Sequence, residues 1–390
     1  MIFQGTGDTF FYHARLPGGV NDSEALAILL TTAVLAQLIG MRFGLSAALV
    51  EIGLGIVLAN VLGLSLSSQS WLVFLVSLAG VMLTFLAGAE VDRASFRQDW
   101  KASVALGSIS FLVPFLAITV LCLFGLGWSQ DSSLLAGVAL SETSIAIVYT
   151  VLVEGGHSRT RLGSLLLSAC FITNLLASIA LTVIFSKPDL PLLFLIAGLV
   201  LAFFLLPRVL ARLMPLPTSG DLRVKLILAV VAVLMALSSW AGVAAVLSAY
   251  IFGLALSGHM RQDDQSSKRM KALVTTLLSS FFFIAAGTYI AAEAVWAGLG
   301  VVVLIVVLRL GSKVMAVLPA AKGFKVGHPA YSALLLSTSL TFGMVFLQFG
   351  LAHGLVGGDQ FSLLAASLVI CAVIPTMVAE RVFNPWRERA

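Results

Sequence analysis

Long apolar segments follow one another along the whole chain, and short polar stretches separate them. Many of these segments run for about 20 residues, which as helix is enough to cross about 30 Å of hydrocarbon. The alternation of apolar and polar residues that is typical of membrane barrel strands is missing. The pattern predicts an all-α polytopic membrane protein. We place thirteen transmembrane helices at residues 23–41, 44–63, 69–91, 101–126, 132–153, 162–186, 190–212, 222–239, 241–258, 270–291, 294–319, 329–352 and 358–380.

The composition agrees with this class. Of 390 residues, 59% are hydrophobic and only 11% are charged, whereas soluble domains carry about 25% charged residues. The three cysteines lie in apolar spans at unrelated spacings, so we expect small core residues rather than a metal site or a disulfide. The first residues lack a basic region, and we expect no cleaved signal peptide.

The basic residues are distributed unevenly between the two sides of these spans. With the N-terminus outside, only Arg15 and Lys187 of the 23 basic residues fall in outer segments. Two more, Arg309 and Lys313, lie inside the eleventh span, and all others fall in cytoplasmic segments. Because basic loops stay inside, we predict a cell (inner) membrane protein with an outer N-terminus and a cytoplasmic C-terminus. The partner is the lipid bilayer, and nucleic acid is not expected.

Arg309 and Lys313 are four residues apart, so they share one face of the eleventh helix. A charge at the bilayer centre costs about 2.5–3.5 kcal/mol even on the mildest scale. Two interpretations remain open. The side chains snorkel to the inner interface, since the span is predicted to end near Leu318, or they are buried with a partner. Snorkelling suits Lys313 better than Arg309.

Acidic residues within the spans are few, and Glu142 in the fifth span is the strongest functional candidate. It lies in "GVALSETSIAIV", between Ser141 and Thr143. Such a polar run is tolerated where the backbone opens onto a cavity or packs within protein. The alternative is a helix contact rich in serine and threonine that holds a paired glutamate. Glu51 in the second span and Glu90 at the end of the third are secondary acids.

The stretch "LSETS" (Leu140–Ser144) has a counterpart, "LSTS" (Leu336–Ser339), in the twelfth span. The two spans are seven apart, and an odd shift reverses the orientation in the membrane. Two six-helix units joined by a linker helix fit this spacing. That arrangement is typical of inverted repeats with crossing interrupted helices. The predicted crossing partners are Ser337, Thr338 and Ser339.

Four stretches carry a resemblance that covers nearly the whole chain. They are "RFGLSAALVEIGLGIVLANVLGLS" (Arg42–Ser65), "LTFLAGAEVDRASFR" (Leu83–Arg97), "GVALSETSIAIVYTVLVEGG" (Gly137–Gly156) and "FFFIAAGTYI" (Phe281–Ile290). In their order and spacing, followed by Lys313, the chain resembles the monovalent cation:proton antiporters. The branch is that of Kef-type potassium efflux systems and bacterial sodium/proton exchangers, and the resemblance covers their transmembrane domain only.

The resemblance implies a division of the chain into parts. These are an external N-terminal segment (1–22), a dimerisation domain (23–91 and 222–291), a core ion-transport domain (101–186 and 294–380), a linker helix (190–212) and a cytoplasmic tail (381–390). A homodimer is expected, and Gly53, Gly55 and Ala59 of the second span would allow close helix approach. A separate regulatory subunit is left open.

The sixth span departs from the family pattern. There the family has an aspartate that binds the cation and exchanges it for protons, whereas this chain has Thr173 and Asn174. Asparagine offers a carbonyl oxygen but does not titrate. Because Glu142 stands where the family tends to have a small residue, we predict that the carboxylate has moved to the fifth span. Alternatively, Glu142 pairs with Lys313 and leaves no free charge. The predicted ion-binding residues are Glu142, Thr143, Thr173, Asn174 and Ser141, with Lys313 and Arg309 as charge-compensating residues.

The resemblance implies secondary active antiport of a monovalent cation, Na+ or K+, against protons by alternating access. The alternative is the same fold with lost proton coupling, as a cation uniporter, a channel-like pathway or an anion carrier that uses Arg309 and Lys313. A third hypothesis is a non-transporting membrane scaffold or sensor. No cofactor is expected besides the transported Na+, K+ or H+, and the scattered histidines give no support for an enzyme.

Overall fold

A computed structural model describes residues 21–43, 46–64, 70–90, 99–154, 157, 160–186, 190–213, 220–262 and 264–385. Helices account for the regular structure of these ranges, which contain no strand. In chain order they are α1 (Asp22–Phe43), α2 (Ala47–Asn60), α3 (Ser70–Ala89), α4 (Trp100–Val120), α5 (Gln130–Ser141), α6 (Ile145–Glu154), α7 (Arg161–Phe185), α8 (Leu190–Leu213), α9 (Gly220–Trp240), α10 (Val246–Gln262), α11 (Asp264–Leu273), α12 (Ser279–Thr288), α13 (Ala292–Ala297), α14 (Leu299–Gly323), α15 (Pro329–Leu336), α16 (Thr341–Ala352) and α17 (Gly358–Val378).

Within the described ranges, ten helical stretches are long and apolar enough to cross a membrane. Three shorter apolar helices, Ala47–Asn60, Leu190–Leu201 and Val246–Gly258, fall within predicted spans. The all-α polytopic class is therefore confirmed, while the count of thirteen stays a prediction. Most of the predicted external segment and half of the predicted cytoplasmic tail lie outside the described residues.

The predicted eleventh span differs from the observed helix at both ends. Gly298 separates the short helix α13 from α14, and α14 continues past Pro319 to Gly323. Membrane helices tolerate such a proline because neighbouring groups can satisfy the freed backbone. Arg309 and Lys313 therefore lie near the middle of a 25-residue helix rather than close to its inner end.

Two pairs of helices approach each other closely through facing glycines. Gly55 of α2 meets Gly287 of α12, and a Cβ atom on either would lie 2.2 Å from a carbonyl oxygen of the other helix. Gly88 of α3 meets Gly253 of α10 in the same way, with corresponding distances of 2.2 and 2.0 Å. Only residues without a Cβ atom allow backbones to come this close.

The glycine contact corrects one expectation about the second span. Gly55 was expected to allow close approach between subunits, but it is buried against Gly287 of the same chain. Gly53 is exposed, and a Cβ atom there would meet no atom within 4 Å. One face of α2, which includes Gly55, therefore packs against the rest of the chain, and another face, which includes Gly53, remains exposed.

Helix α4 supports the region in which α5 and α7 pass each other. A Cβ atom on Gly107 of α4 would lie 2.7 Å from the Ala169 carbonyl oxygen of α7, and Gly137 of α5 packs as closely on Thr119. Before α4 begins, Asp99 forms a salt bridge of 2.6 Å with Arg161 at the start of α7. The Arg161 guanidinium holds the pKa of the Asp99 carboxyl below its ordinary value.

Candidate functional site

Two helices are interrupted at the same place in the structure. The first break lies between α5 and α6, where Glu142 has an extended conformation, and the second lies between α15 and α16. The Ser144 amide donates to the Thr338 carbonyl at 3.2 Å, and the Thr143 hydroxyl donates to the Leu336 carbonyl at 2.9 Å. Both breaks fall in serine- and threonine-rich runs, whose side chains compete with helical hydrogen bonding.

Arg309 of α14 binds the C-terminal ends of both interrupted helices. Its Nε atom donates to the Leu140 carbonyl at 2.6 Å, and another guanidinium nitrogen donates to the Ser337 carbonyl. A third bond of 3.1 Å reaches the Glu142 carbonyl. Helix C-termini carry a partial negative charge and unsatisfied carbonyl groups, so a cation stabilises them.

Lys313, one turn further along α14, binds the first break alone. Its ammonium group donates to the Ser141 carbonyl at 2.9 Å, to the Glu142 carbonyl at 2.5 Å and to the Thr143 hydroxyl at 2.9 Å. Both cationic side chains are fully buried. The snorkelling interpretation is therefore wrong for both.

The Glu142 carboxylate points across the crossing to the start of α16. Its Oε1 atom accepts hydrogen bonds from the Ser339 hydroxyl at 2.5 Å and from the Leu340 amide at 2.7 Å. A helix N-terminus carries a partial positive charge that favours a carboxylate there. Among the described residues, its second oxygen, Oε2, is buried without a hydrogen-bond partner.

The carboxylate and the two cations therefore serve different helix ends. The three hydrogen bonds of the Lys313 ammonium group go to the Ser141 and Glu142 backbone carbonyls and to the Thr143 hydroxyl, not to the Glu142 carboxylate. The bonds of Arg309 to the crossing also go to backbone carbonyls. This differs from the alternative in which Glu142 and Lys313 form a pair that leaves no free charge.

The side chain of Asn174 in α7 meets the first break. Its Oδ1 atom accepts from the Thr143 amide at 3.1 Å, and its Nδ2 atom donates to the Thr143 carbonyl at 2.8 Å. Thr173 points elsewhere, since its hydroxyl donates to the Gly107 carbonyl of α4 and to Ala169 of its own helix. Neighbouring residues on a helix face different directions, so the structure brings only Asn174 of this pair to the crossing.

The remaining predicted residues contribute in different ways. The hydroxyls of Ser141, Ser337 and Thr338 donate to carbonyls of their own helices, so these residues reach the cations through their backbones. Glu51 is buried on α2 beside Ser280 of α12, and Glu90 forms a 2.8 Å salt bridge with Lys271. Both of these acids contact helices other than the interrupted ones.

Sequence reasoning missed two parts of this site. The Leu340 amide anchors the carboxylate, but an apolar side chain gives no sign of what its backbone does. The carbonyl of Leu140 was missed for the same reason. The central position of Arg309 had a signal, because its four-residue spacing from Lys313 places both on one face.

Interrupted membrane helices that cross, with charged side chains bound to their ends, define the architecture of a secondary transporter. The chain belongs to the sodium/hydrogen exchanger family: the model of its transmembrane region, described as "Sodium/hydrogen exchanger, transmembrane", matches residues 27–384. The resemblance to monovalent cation:proton antiporters is thereby confirmed. The family is one of transporters rather than enzymes.

Relatives of known name cover most of the chain. The "Probable Na(+)/H(+) antiporter 3" of Methanocaldococcus jannaschii is 25% identical over 330 residues, which are 79% of this chain and 83% of that protein. The "Na(+)/H(+)-K(+) antiporter GerN" of Bacillus cereus is 22% identical over 374 residues, or 90% and 93% of the two chains.

A solved structure shows the same fold. The sodium proton antiporter MjNhaP1 from Methanocaldococcus jannaschii superposes with a TM-score of 0.71 at 16% sequence identity. The match covers 94% of this chain and 97% of the other. At this identity the likeness concerns the path of the backbone, so the chemistry of the site depends on the residues of this chain.

Proposed function

We propose that this protein is a secondary active antiporter that exchanges a monovalent cation, Na+ or K+, for protons by alternating access. The observation that carries the proposal is the hydrogen bonding of the buried Glu142 carboxylate. One carboxylate oxygen is held at the start of α16, and the other is buried without a hydrogen-bond partner among the described residues. A buried acid inside a membrane protein marks an ion or proton pathway by default.

Competition at this carboxylate would couple the two ions. A cation and a proton repel each other at one carboxylate, and the repulsion is strong where water is excluded. Binding of one therefore releases the other. Arg309 and Lys313 hold the C-terminal helix ends, so Glu142 is not needed to neutralise them.

Neutral oxygens near Glu142 complete the proposed cation site. The Thr143 hydroxyl lies beside Lys313 and the Asn174 amide oxygen lies beside the Thr143 amide. A carbonyl oxygen has two lone pairs, so Asn174 retains one for a cation. Of the other predicted ligands, Thr173 is a weaker candidate because its hydroxyl faces Gly107 of α4, and Ser141 is weaker because its hydroxyl bonds back to Val138 of its own helix.

The inverted-repeat arrangement has support from the helix contacts. A shift of seven spans exchanges the break between α5 and α6 with the break between α15 and α16. It also exchanges α2 with α10 and α12 with α3, so the Gly55–Gly287 contact maps onto the Gly253–Gly88 contact. In this proposal the two glycine contacts belong to the dimerisation domain, and the crossing belongs to the core that moves against it.

The proposed assembly is a homodimer in the inner membrane, with the N-terminus outside and the C-terminus in the cytoplasm. The exposed face of α2, which includes Gly53 and Val57, is available for a subunit contact. Native mass spectrometry in mild detergent tests the assembly, and a protein that is monomeric throughout would contradict it.

A second candidate, transport without proton coupling, is favoured by one observation: Asn174 stands at the family's aspartate position and does not titrate. A cation uniporter or channel-like pathway would need no titrating group. An anion carrier is the weaker form of this idea, because the donors of Arg309 and Lys313 already bind backbone carbonyls.

Exchange in proteoliposomes tests the proposal. The protein is reconstituted with an imposed pH gradient, and internal pH is followed while Na+ or K+ is added. We expect the wild type to dissipate the gradient and Glu142→Gln to lose this activity. Glu51→Gln is the matched control, since it removes a buried acid outside the crossing, and it should exchange normally.

Two outcomes would change the assignment. If Glu142→Gln exchanges cations for protons at the wild-type rate, the relocated carboxylate is wrong. If the wild type moves cations without protons, the uncoupled candidate takes its place.

A further inference from the structure

Tyr250 of α10 joins two parts of the fold at the level of the crossing. Its side chain is fully buried, and its hydroxyl donates a hydrogen bond of 3.1 Å to the Phe171 carbonyl of α7. Its ring stacks on the Phe171 ring at 5.4 Å between centroids and meets the Phe342 ring of α16 edge-on at 5.5 Å. One side chain therefore contacts two helices of the predicted core.

Both contacted residues are close to the transport site along the chain. Phe171 lies in α7 one turn before Asn174, which holds the unwound segment. Phe342 lies at the start of α16, just after Leu340, whose amide binds the Glu142 carboxylate. A change in the position of Tyr250 therefore bears on the two helices that flank Glu142.

The backbone of Tyr250 is fixed to a different helix. A Cβ atom on Gly88 of α3 would lie 2.2 Å from the Tyr250 carbonyl oxygen. This close contact leaves little room for α10 to slide against α3. The main chain of Tyr250 thus belongs to the α3–α10 pair, while its hydroxyl and ring bind α7 and α16.

We infer that Tyr250 is a positioning residue of the transport site, whose hydroxyl restrains the core in the observed conformation. The inference rests on the proposed antiport by alternating access. If the core moves against the α3–α10 pair, the bond between the Tyr250 hydroxyl and the Phe171 carbonyl breaks at the start of that movement. The hydroxyl then slows the departure from this conformation.

The hydroxyl and the ring have separable roles. A buried tyrosine hydroxyl needs a partner, and here the partner belongs to the other moving part rather than to its own helix. Tyr250→Phe removes the hydroxyl and keeps both ring contacts. Because the cation ligands remain in place, the substitution should change the maximal rate and leave the half-saturating cation concentration unchanged.

Tyr331→Phe is the matched control. Tyr331 is equally buried, and its hydroxyl donates to the Glu380 carboxylate at 2.9 Å. Both of these residues lie in the predicted core, so their hydrogen bond does not break when the core moves as a unit. The control also removes a buried tyrosine hydroxyl bond, in this case one to a carboxylate, without touching the contact between the two parts.

Exchange kinetics in proteoliposomes test the inference. We expect Tyr250→Phe to raise the maximal rate about two- to tenfold, the effect of one neutral hydrogen bond. Tyr331→Phe should match the wild type. An unchanged or lower rate in Tyr250→Phe, a changed half-saturating concentration, or equal effects of the two variants would overturn it.

Amide hydrogen exchange separates this inference from the proposed function. In Tyr250→Phe the α7 peptide around Phe171 should lose protection, while in Tyr331→Phe it should not. This readout needs no transport, so it remains decisive if the wild type fails to exchange cations for protons. Equal protection of that peptide in the wild type and Tyr250→Phe would overturn the restraint itself.

Discussion

Asn174 binds both backbone polar groups of Thr143, accepting from its amide at 3.1 Å and donating to its carbonyl at 2.8 Å. This two-point contact holds the segment between α5 and α6 in its extended form. It requires an amide side chain, because an ionised carboxylate accepts but does not donate. Asn174 therefore supports the backbone next to Glu142.

The first prediction concerns a second carboxylate at this position. In a Glu142→Gln background, Asn174→Asp should partly restore proton-coupled cation flux. The new carboxylate would lie next to Thr143, close to the place that Glu142 leaves, although it loses the bond to the Thr143 carbonyl. Proteoliposome exchange measures the gain over Glu142→Gln alone.

Asn174→Ser in the same background is the control for that rescue. It loses the amide contact in a similar way but adds no carboxylate, so flux should stay at the level of Glu142→Gln. Rescue by Asn174→Ser, or no rescue by Asn174→Asp in a folded protein, would contradict the idea that a carboxylate on α7 can replace the one of Glu142.

The second prediction concerns Lys313. Among the described residues, its ammonium group makes three hydrogen bonds, and all three hold the first break. Hydrogen bonds to charged groups contribute about 1.5–3 kcal/mol, so Lys313→Ala should lower the exchange rate by about tenfold or more. The protein should still fold, since Arg309 also binds carbonyls at the first break.

Lys322→Ala is the control for Lys313. Lys322 lies on the same helix but is exposed near its end, so its removal should leave exchange unaltered. Wild-type cation affinity and rate in Lys313→Ala would show that this ammonium group does not act on the site.

The third prediction concerns stability. Arg309 satisfies carbonyls from both interrupted helices. Arg309→Leu takes this donor away from the buried Leu140 and Ser337 carbonyls, while Lys313 still binds the Glu142 carbonyl. Each unsatisfied buried group costs about 1–3 kcal/mol, so we expect a loss of about 3 kcal/mol or more in the free energy of unfolding. Thermal unfolding in detergent measures it.

Arg208→Leu is the matched change at an exposed position. Arg208 donates to the Phe204 carbonyl of its own helix, and its loss should change the free energy of unfolding by less than about 0.5 kcal/mol. Equal effects of the two substitutions would mean that the crossing does not depend on the guanidinium.

The sequence predicted the class of the protein and the position of the first helix break better than the contacts around that break. Apolar segments about the length of a membrane crossing and the polar run around Glu142 are local signals, and both led to correct expectations. The polar run also pointed to a break, because serine and threonine side chains compete for helical hydrogen bonds.

Contacts made by backbone groups and by helices distant along the chain could not be predicted from the sequence. The bonds of Arg309 go to carbonyls, which every residue has, so no residue type marks them. Thr173 faces Gly107 of α4, and the local sequence does not show which face of α7 packs against that helix. The partner of Gly55 lies on a helix far along the chain, so the local pattern of small residues did not indicate which helix Gly55 would meet.

The last prediction uses two glycines of α2 that differ in their surroundings. A Cβ atom on Gly55 would lie 2.2 Å from the Ile284 carbonyl oxygen, closer than real Cβ contacts come. Gly55→Ala therefore forces α2 and α12 apart, and overpacking of this kind costs about 1–3 kcal/mol. Within one subunit Gly53→Ala meets no atom within 4 Å and removes a weak helix former, so the fold of the subunit should be unaffected or stabilised by up to about 1 kcal/mol. Thermal unfolding of the two variants in one detergent compares them directly. A Gly55→Ala protein as stable as the wild type would mean that these helices are not held in contact, and would remove the glycine pairs as support for the inverted repeat.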